Sequence, residues 1–112
     1  MNDVMFDRIR KDITTYDVVL YMKGTVAFPM DGFSAAMVQI LTQLNIVFKD
    51  INVLNDSALH QALKTFASWP NTPQLYIKGV FIGGTDKVRE MFATGALQDL
   101  LGAHQIARRK TS

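Results

Sequence analysis

Apolar side chains recur at helical spacing in several segments of the chain. The clearest segment covers residues 32–44, where apolar positions follow the pattern i, i+3, i+4, i+7, i+8 and i+11 and form one face of an amphipathic helix. Shorter periodic segments cover residues 4–15, 86–94 and 96–102, and a further one follows Asp56. We therefore predict a helix for each segment, with Asn2 or Asp3 capping the first and Asp56 capping the third.

Short segments rich in β-branched and aromatic residues alternate with these helices. They cover residues 17–22, 46–53, 74–79 and 80–84, and Lys78-Gly79 fits a hairpin turn between the last two. The element order α-β-α-β-α-β-β-α-α predicts an α/β fold with a four-stranded mixed sheet flanked by helices on both faces. Ligands of such sheets bind beyond the carboxyl ends of the strands, so functional residues are expected there.

Length and composition narrow the class of protein. The 112 residues predict a single globular domain over 1–112, and no apolar run approaches the roughly 20 residues that span a bilayer. The N-terminal segment mixes acids with bases and lacks the apolar core of a secretory signal. We therefore expect a cytoplasmic protein, or one of an organellar matrix if a transit peptide has been removed.

Charge and cysteine content exclude several functions. The net charge is +2, and the bases at 108–110 lie in an expected flexible basic tail over about 104–112. No aromatic residue is interleaved with these bases, so we expect neither nucleic-acid nor membrane binding. The chain has no cysteine, which excludes disulfides, thiolate catalysis and cysteine-ligated metals. Its two histidines, His60 and His104, are too far apart in sequence to indicate a zinc site.

The segment PMDGFS, residues 29–34, joins the first strand to the second helix. Free backbone N–H groups and a partial positive charge at a helix start favour an anionic ligand or side chain. Asp31 lies at this start. Asp is also among the best helix N-cap residues, so a purely stabilising role is the alternative.

Two further segments are expected at the same end of the sheet. In WPNTP, residues 69–73, Pro73 directly precedes a strand and is a candidate for a cis peptide bond, with a plain rigid loop as the alternative. In Gly83-Gly84-Thr85-Asp86, Thr85 and Asp86 are candidate caps of another helix. Together with Lys23 and Lys64, these segments would form a pocket for a small ligand with two carboxylates; as lone lysines, both would be solvated.

Several motifs in a fixed order make the chain resemble a monothiol glutaredoxin of the CGFS type over roughly residues 3–103. They are YMKGT (21–25), FPMDGFS (28–34), WPNTPQLYIKG (69–79) and FIGGTD (81–86). The resemblance implies the thioredoxin-like fold, glutathione binding and a 2Fe–2S cluster held by glutathione-assisted homodimers. It also implies a role in iron–sulfur cluster assembly and transfer and in redox homeostasis, with BolA-like proteins and iron–sulfur client proteins as partners.

The resemblance also implies a set of glutathione-binding residues. Lys23 and Lys64 would pair with carboxylates, and Thr72 would pair its backbone with the peptide ahead of a cis Pro73. The γ-glutamyl end would lie at the start of the fourth helix, beside the start of the second. The full set is Lys23, Phe33, Ser34, Lys64, Thr72, Pro73, Gly84, Thr85 and Asp86.

The chain departs from the family pattern at its most important position. The resemblance places the family's active cysteine at Asp31, and milder departures fall at Asn71 and Thr85, while His60 stands where a basic residue often contacts the glycyl end. A carboxylate is a poor nucleophile toward sulfur and a poorly matched ligand for an iron–sulfur cluster. We therefore expect glutathione binding without oxidoreductase activity, with cluster ligation lost or severely weakened. The alternatives are a non-catalytic adaptor that uses the same surface for a BolA-like or client partner, and a labile cluster ligated by Asp31.

Overall fold

The computed structural model of the protein describes residues 3–109 and folds as the element order predicts. Its helices and strands are, in chain order, α1 Asp3–Thr15, β1 Val18–Met22, α2 Gly32–Gln43, β2 Lys49–Asn52, α3 Ser57–Phe66, β3 Gln74–Ile77, β4 Val80–Gly83, α4 Thr85–Thr94 and α5 Ala96–Ala103. Asp56 caps α3 by accepting a hydrogen bond from the Leu59 amide. The candidate cap Asn2 lies outside the described residues, and Asp3 is the first residue of α1 rather than its cap.

The strands form one mixed sheet in the order β2-β1-β3-β4. β1 runs parallel to β2 and antiparallel to β3, and β3 pairs with β4 through the predicted hairpin. Lys78 and Gly79 have φ angles of 51° and 79°, as a tight hairpin turn of this type requires. The carboxyl ends of β1 and β2 therefore lie at one edge of the sheet, next to the start of β3.

Helices cover both faces of the sheet, and alternation along β1 divides the core between them. Val18, Leu20 and Met22 pack in a cluster with α2, α4 and α5. Val19 and Tyr21 point to the other face and pack with α1 and α3. Because successive strand side chains point to opposite faces, a fully apolar central strand supports a helix layer on each side. This confirms the predicted α/β class and the four-stranded mixed sheet.

The predicted second strand, 46–53, is shorter in the structure. Only Lys49–Asn52 pair with β1, whereas Ile46 forms an isolated bridge with Arg108. The Val47 amide donates to the Ala107 carbonyl at 2.9 Å, and Ile106 is 8% exposed. The backbone of residues 107–108 therefore contacts the segment just before β2. Residues 110–112 lie outside the described residues, and the flexibility of the tail stays a prediction. Within 3–109, none of the helices has the length and apolarity needed to cross a membrane.

Candidate functional site

The loop that follows β1 is closed by its own backbone and fastened to β2. Gly24 bridges Pro29, and the Met30 amide donates to the Lys23 carbonyl at 2.9 Å. The Asn52 side chain accepts from the Gly24 amide at 3.0 Å. These contacts fix the path of residues 23–30 and so the position at which α2 begins.

Gly24 is required by this loop, and its substitution by alanine is expected to destabilise the protein. Its φ is +90°, and an added Cβ would collide with the Phe28 carbonyl oxygen and lie 2.7 Å from the Met30 Cγ. We expect Gly24→Ala to lower the free energy of unfolding by about 2–3 kcal/mol, measured by urea denaturation. Gly102→Ala, at a helical glycine with open space around it, is the control and should be neutral or slightly stabilising. Equal stability of the two variants would contradict the strained geometry at Gly24.

Asp31 is the N-cap of α2, as its residue type suggested. Its Oδ1 accepts a hydrogen bond from the Ser34 amide at 2.8 Å, and its Oδ2 lies 3.8 Å from the Lys23 Nζ. The buried Ser34 hydroxyl accepts from the Lys23 amide at 3.1 Å, which holds the loop against the first turn of α2. The carboxylate charge is therefore placed between a helix N-terminus and a lysine, both of which stabilise it.

The start of α4 differs from the prediction that Thr85 and Asp86 cap it. The N-cap is Gly84, and among the described residues no side chain makes a capping hydrogen bond to the N-terminus of this helix. The Thr85 hydroxyl instead donates to the Phe33 carbonyl at 3.0 Å, which joins the start of α4 to the first turn of α2. Backbone N–H groups of the first turn of α4 are therefore available to an anionic ligand.

The segment between α3 and β3 is shaped by a buried glutamine. The Thr72–Pro73 bond is cis, which confirms that prediction. Gln74 is fully buried, and its Nε2 donates to the Leu63, Trp69 and Asn71 carbonyls at 3.3, 3.4 and 3.4 Å. One side chain therefore holds the loop against α3. A Cβ at Gly84 would lie 3.2 Å from the Trp69 Nε1, so a glycine is what allows the start of α4 to approach this loop closely.

His60 lies close enough to both predicted lysines for their charges to affect it. Its Nε2 lies 3.3 Å from the Thr72 Oγ1. Partial burial lowers the pKa of His60 below its usual value, and the positive charges of Lys64 and Lys23 lower it further. The lowered pKa favours the neutral imidazole, so the positive charge on this side of the site comes from the two lysines.

A groove of about 1060 Å³ lies where these elements meet. It brings together most of the residues singled out in the sequence: Lys23, Asp31, Phe33, Thr72, Pro73, Gly84, Thr85 and Asp86. Ser34 and Lys64 are not among the lining residues; Ser34 is buried beneath the groove, and Lys64 lies at the C-terminal end of α3.

The segment 69–73, expected at this end of the sheet, also contributes Trp69 and Asn71 to the lining. Sequence reasoning missed the part of the wall that α4 contributes beyond its start, which comprises Lys87, Arg89, Glu90 and Met91. Arg89 and Glu90 follow Asp86 by three and four positions, and this helical spacing is the signal that would have found them. Their charges of opposite sign leave this wall with little net charge.

Large apolar side chains are exposed around Asp31. Phe28 is 76% exposed, Met30 65% and Phe33 58%, although the helical pattern had placed Phe33 on the core face of α2. Phe33 is in the first turn of α2 and lines the groove. These three side chains form an apolar rim, and exposed apolar groups beside a groove are typical of a binding surface.

Comparisons with known proteins agree on one family. The model of the Glutaredoxin family matches residues 18–82. The chain is 50% identical over 93 residues to Monothiol glutaredoxin-S14, chloroplastic, of Arabidopsis thaliana, a match that covers 83% of this chain but 54% of that longer protein. It is 48% identical over 93 residues to Probable monothiol glutaredoxin 2 of Rickettsia prowazekii, covering 83% of this chain and 87% of that protein.

Solved structures agree with this result. A monomeric truncated mutant of Trypanosoma brucei 1-C-Grx1 superposes with a TM-score of 0.84 at 32% identity, covering 94% of this chain and 96% of that one. A buckwheat glutaredoxin–glutathione complex gives a TM-score of 0.83 at 19% identity, covering 95% and 94%, and shows the shared thioredoxin fold. The family model and the sequence relatives together show that this chain belongs to the glutaredoxin family and, within it, to the monothiol glutaredoxins.

Proposed function

We propose that this chain binds glutathione in the groove and acts, as a monothiol glutaredoxin, in iron–sulfur cluster assembly and transfer and in glutathione-linked redox homeostasis. Its own thiol redox chemistry and cluster ligation are lost or severely impaired, because Asp31 stands where the resemblance places the active cysteine. It therefore does not act as an oxidoreductase by itself. A homodimer is expected only if a cluster is held.

The observation that supports this proposal most directly is the layout of the groove. Lys23 lines one side of it, and the start of α4, without a side-chain cap among the described residues, lines the other. Glutathione carries a carboxylate at each end, so one can pair with the lysine and the other with the N–H groups of α4. The buckwheat glutaredoxin of the same fold was solved as a complex with glutathione, which is consistent with this assignment.

The residues of this chain do not fit a 2Fe–2S cluster. Such clusters are held by cysteine thiolates, with histidine as the usual replacement, and the chain has no cysteine. Within residues 3–109, no group of three or more acidic or histidine side chains is suitably placed to hold a metal ion. Both Asp31 oxygens already face the Ser34 amide and the Lys23 ammonium. A cluster would therefore be a cargo for which this chain supplies no strong ligand.

Calorimetric titration with glutathione tests the binding proposal, and Lys23→Gln is the informative variant. Removal of the cation should weaken glutathione binding roughly three- to tenfold, because a partly exposed charge pair contributes modestly. Lys11→Gln removes the same charge from an exposed position on α1 and should leave the affinity unchanged. Equal affinity of Lys23→Gln and the parent chain would mean that the groove is wrongly assigned.

A second candidate function is supported by the apolar rim. The same surface, with Phe28, Met30 and Phe33 exposed, would suit a non-catalytic adaptor that binds a BolA-like protein or an iron–sulfur client protein. This function requires neither glutathione nor iron. If titration detects no glutathione binding and anaerobic reconstitution with iron and sulfide gives no visible-region absorbance, the adaptor function becomes the preferred one.

A further inference from the structure

The groove places a fixed negative charge between its two positions for an anion. Lys23 lies 3.8 Å from Asp31, and Thr85 at the start of α4 donates to the Phe33 carbonyl. The wall from Lys23 to the start of α4 therefore crosses the first turn of α2, where Asp31 is the N-cap. A bent peptide with a carboxylate at Lys23 and another at α4 must pass its middle residue over this turn.

In that pose the middle residue would face the Asp31 carboxylate. Asp31 is 26% exposed at its side chain and lines the groove, so its charge is accessible to a ligand. Its Oδ1 accepts from the Ser34 amide at 2.8 Å, which keeps the carboxylate at this place. Like charges a few ångströms apart at a partly exposed site repel, and Lys23 offsets only part of this repulsion because it is shared with the ligand. An anionic group on the middle side chain is disfavoured at this position.

Resting on the glutathione-binding function proposed above, we propose that the groove selects glutathione whose sulfur is uncharged. The favoured ligand class comprises the thiol itself and S-substituted thioether conjugates with a neutral substituent. Forms with an anion on or beyond the sulfur bind more weakly. Asp31 is thus a specificity-determining residue for the substituent on sulfur.

Two matched conjugates test this selectivity by calorimetry at pH 7. S-carbamoylmethylglutathione and S-carboxymethylglutathione have nearly the same shape and differ by one negative charge. The parent chain should bind the neutral amide roughly tenfold more tightly than the acid. In Asp31→Asn this ratio should fall toward one, and the fold should be kept because Asn is an equally good N-cap residue. Asp99→Asn, an equal loss of charge from α5 outside the groove, should keep the ratio.

The outcomes separate this inference from the function on which it rests. If both conjugates bind equally, or if Asp31→Asn leaves the ratio unchanged while Lys23→Gln weakens both, the groove is correct and the selectivity is wrong. If glutathione and both conjugates fail to bind the parent chain, the proposed function is wrong, and the selectivity falls with it. Tighter binding of the acid would overturn the placement of the middle residue over Asp31.

Discussion

Replacement of Asp31 by cysteine is expected to create thiol chemistry in a chain that has none. The new thiol would lie at the start of α2, where the Ser34 amide is 2.8 Å from the present carboxylate and Lys23 is 3.8 Å away. Both groups stabilise a thiolate, so the thiol pKa should fall roughly 1–2 units below its usual value near 8.5. The thiolate would attack glutathione disulfide to give a mixed disulfide with the protein and release one glutathione thiolate.

The control is Ala103→Cys, which places a thiol at the C-terminal end of a helix instead of the N-terminal end. Ala103 is an exposed residue that ends α5, and the C-terminal end of a helix disfavours a thiolate. Asp31→Cys should therefore have the lower thiol pKa by ultraviolet titration, and it should accumulate more mixed disulfide by mass spectrometry. The same pKa for both thiols would mean that the start of α2 gives no activation.

The Asp31→Cys variant also tests whether the rest of the groove can still support an iron–sulfur cluster. Supplied with glutathione, iron and sulfide without oxygen, Asp31→Cys should give a coloured dimer. Asp31→Ser, which has no thiolate, is the matched negative control. A colourless monomer from Asp31→Cys would show that features other than the cysteine have also diverged from the family.

Substitution of Gln74 by glutamate is expected to cause the largest loss of stability among these variants. Gln74 is fully buried; its Nε2 faces the Leu63, Trp69 and Asn71 carbonyls, and its Oε1 accepts from the Tyr76 hydroxyl at 3.0 Å. In Gln74→Glu, the carboxylate oxygen that replaces Nε2 would face three carbonyl oxygens and no donor, and only the Tyr76 hydroxyl would donate to the other oxygen. We expect a loss of about 3 kcal/mol in the free energy of unfolding at pH 7, and a Tm lower by about 10 °C.

This loss should depend on pH with a definite sign. Burial raises the pKa of a carboxyl, so the folded Gln74→Glu chain would hold its proton at pH values where the unfolded chain, with a pKa near about 4.3, has released it. Stability should therefore fall as the pH rises from about 4.3 to the raised value, and become constant above it. Urea denaturation at several pH values measures this, with Gln61→Glu at an exposed site of α3 as the control. A penalty that does not change with pH would contradict burial of the new carboxyl.

The sequence predicted the helices and strands better than it predicted which residues contact one another across the fold. The strand pattern over 46–53 is real, but local alternation cannot show that Ile46 pairs with the C-terminal segment instead of β1. In the same way, Thr85 has the residue type of a helix cap, yet its hydroxyl bonds to Phe33, 52 positions earlier. Interactions at such separations become visible only when the sheet has assembled.

The sequence identified the residues that line the candidate site better than the buried residues that hold them in place. Motif order located Asp31, Thr72 and Gly84, all of which line the groove. Gln74 was not found, because a polar residue in a short strand is ordinarily interpreted as solvent-facing. Its role depends on three carbonyls contributed by α3 and the loop after it, and these become neighbours only through the tertiary fold.

The capping carboxylate of Asp31 has a consequence for the conditions under which the groove can work. A cysteine at such a position can be oxidised to sulfenic acid, joined to other thiols or overoxidised beyond repair. A carboxylate undergoes none of these reactions, and its hydrogen bond to the Ser34 amide needs no reducing partner to maintain it. The protein side of the groove would therefore be the same in oxidising and reducing surroundings, and a redox change would alter its occupancy only by converting the ligand.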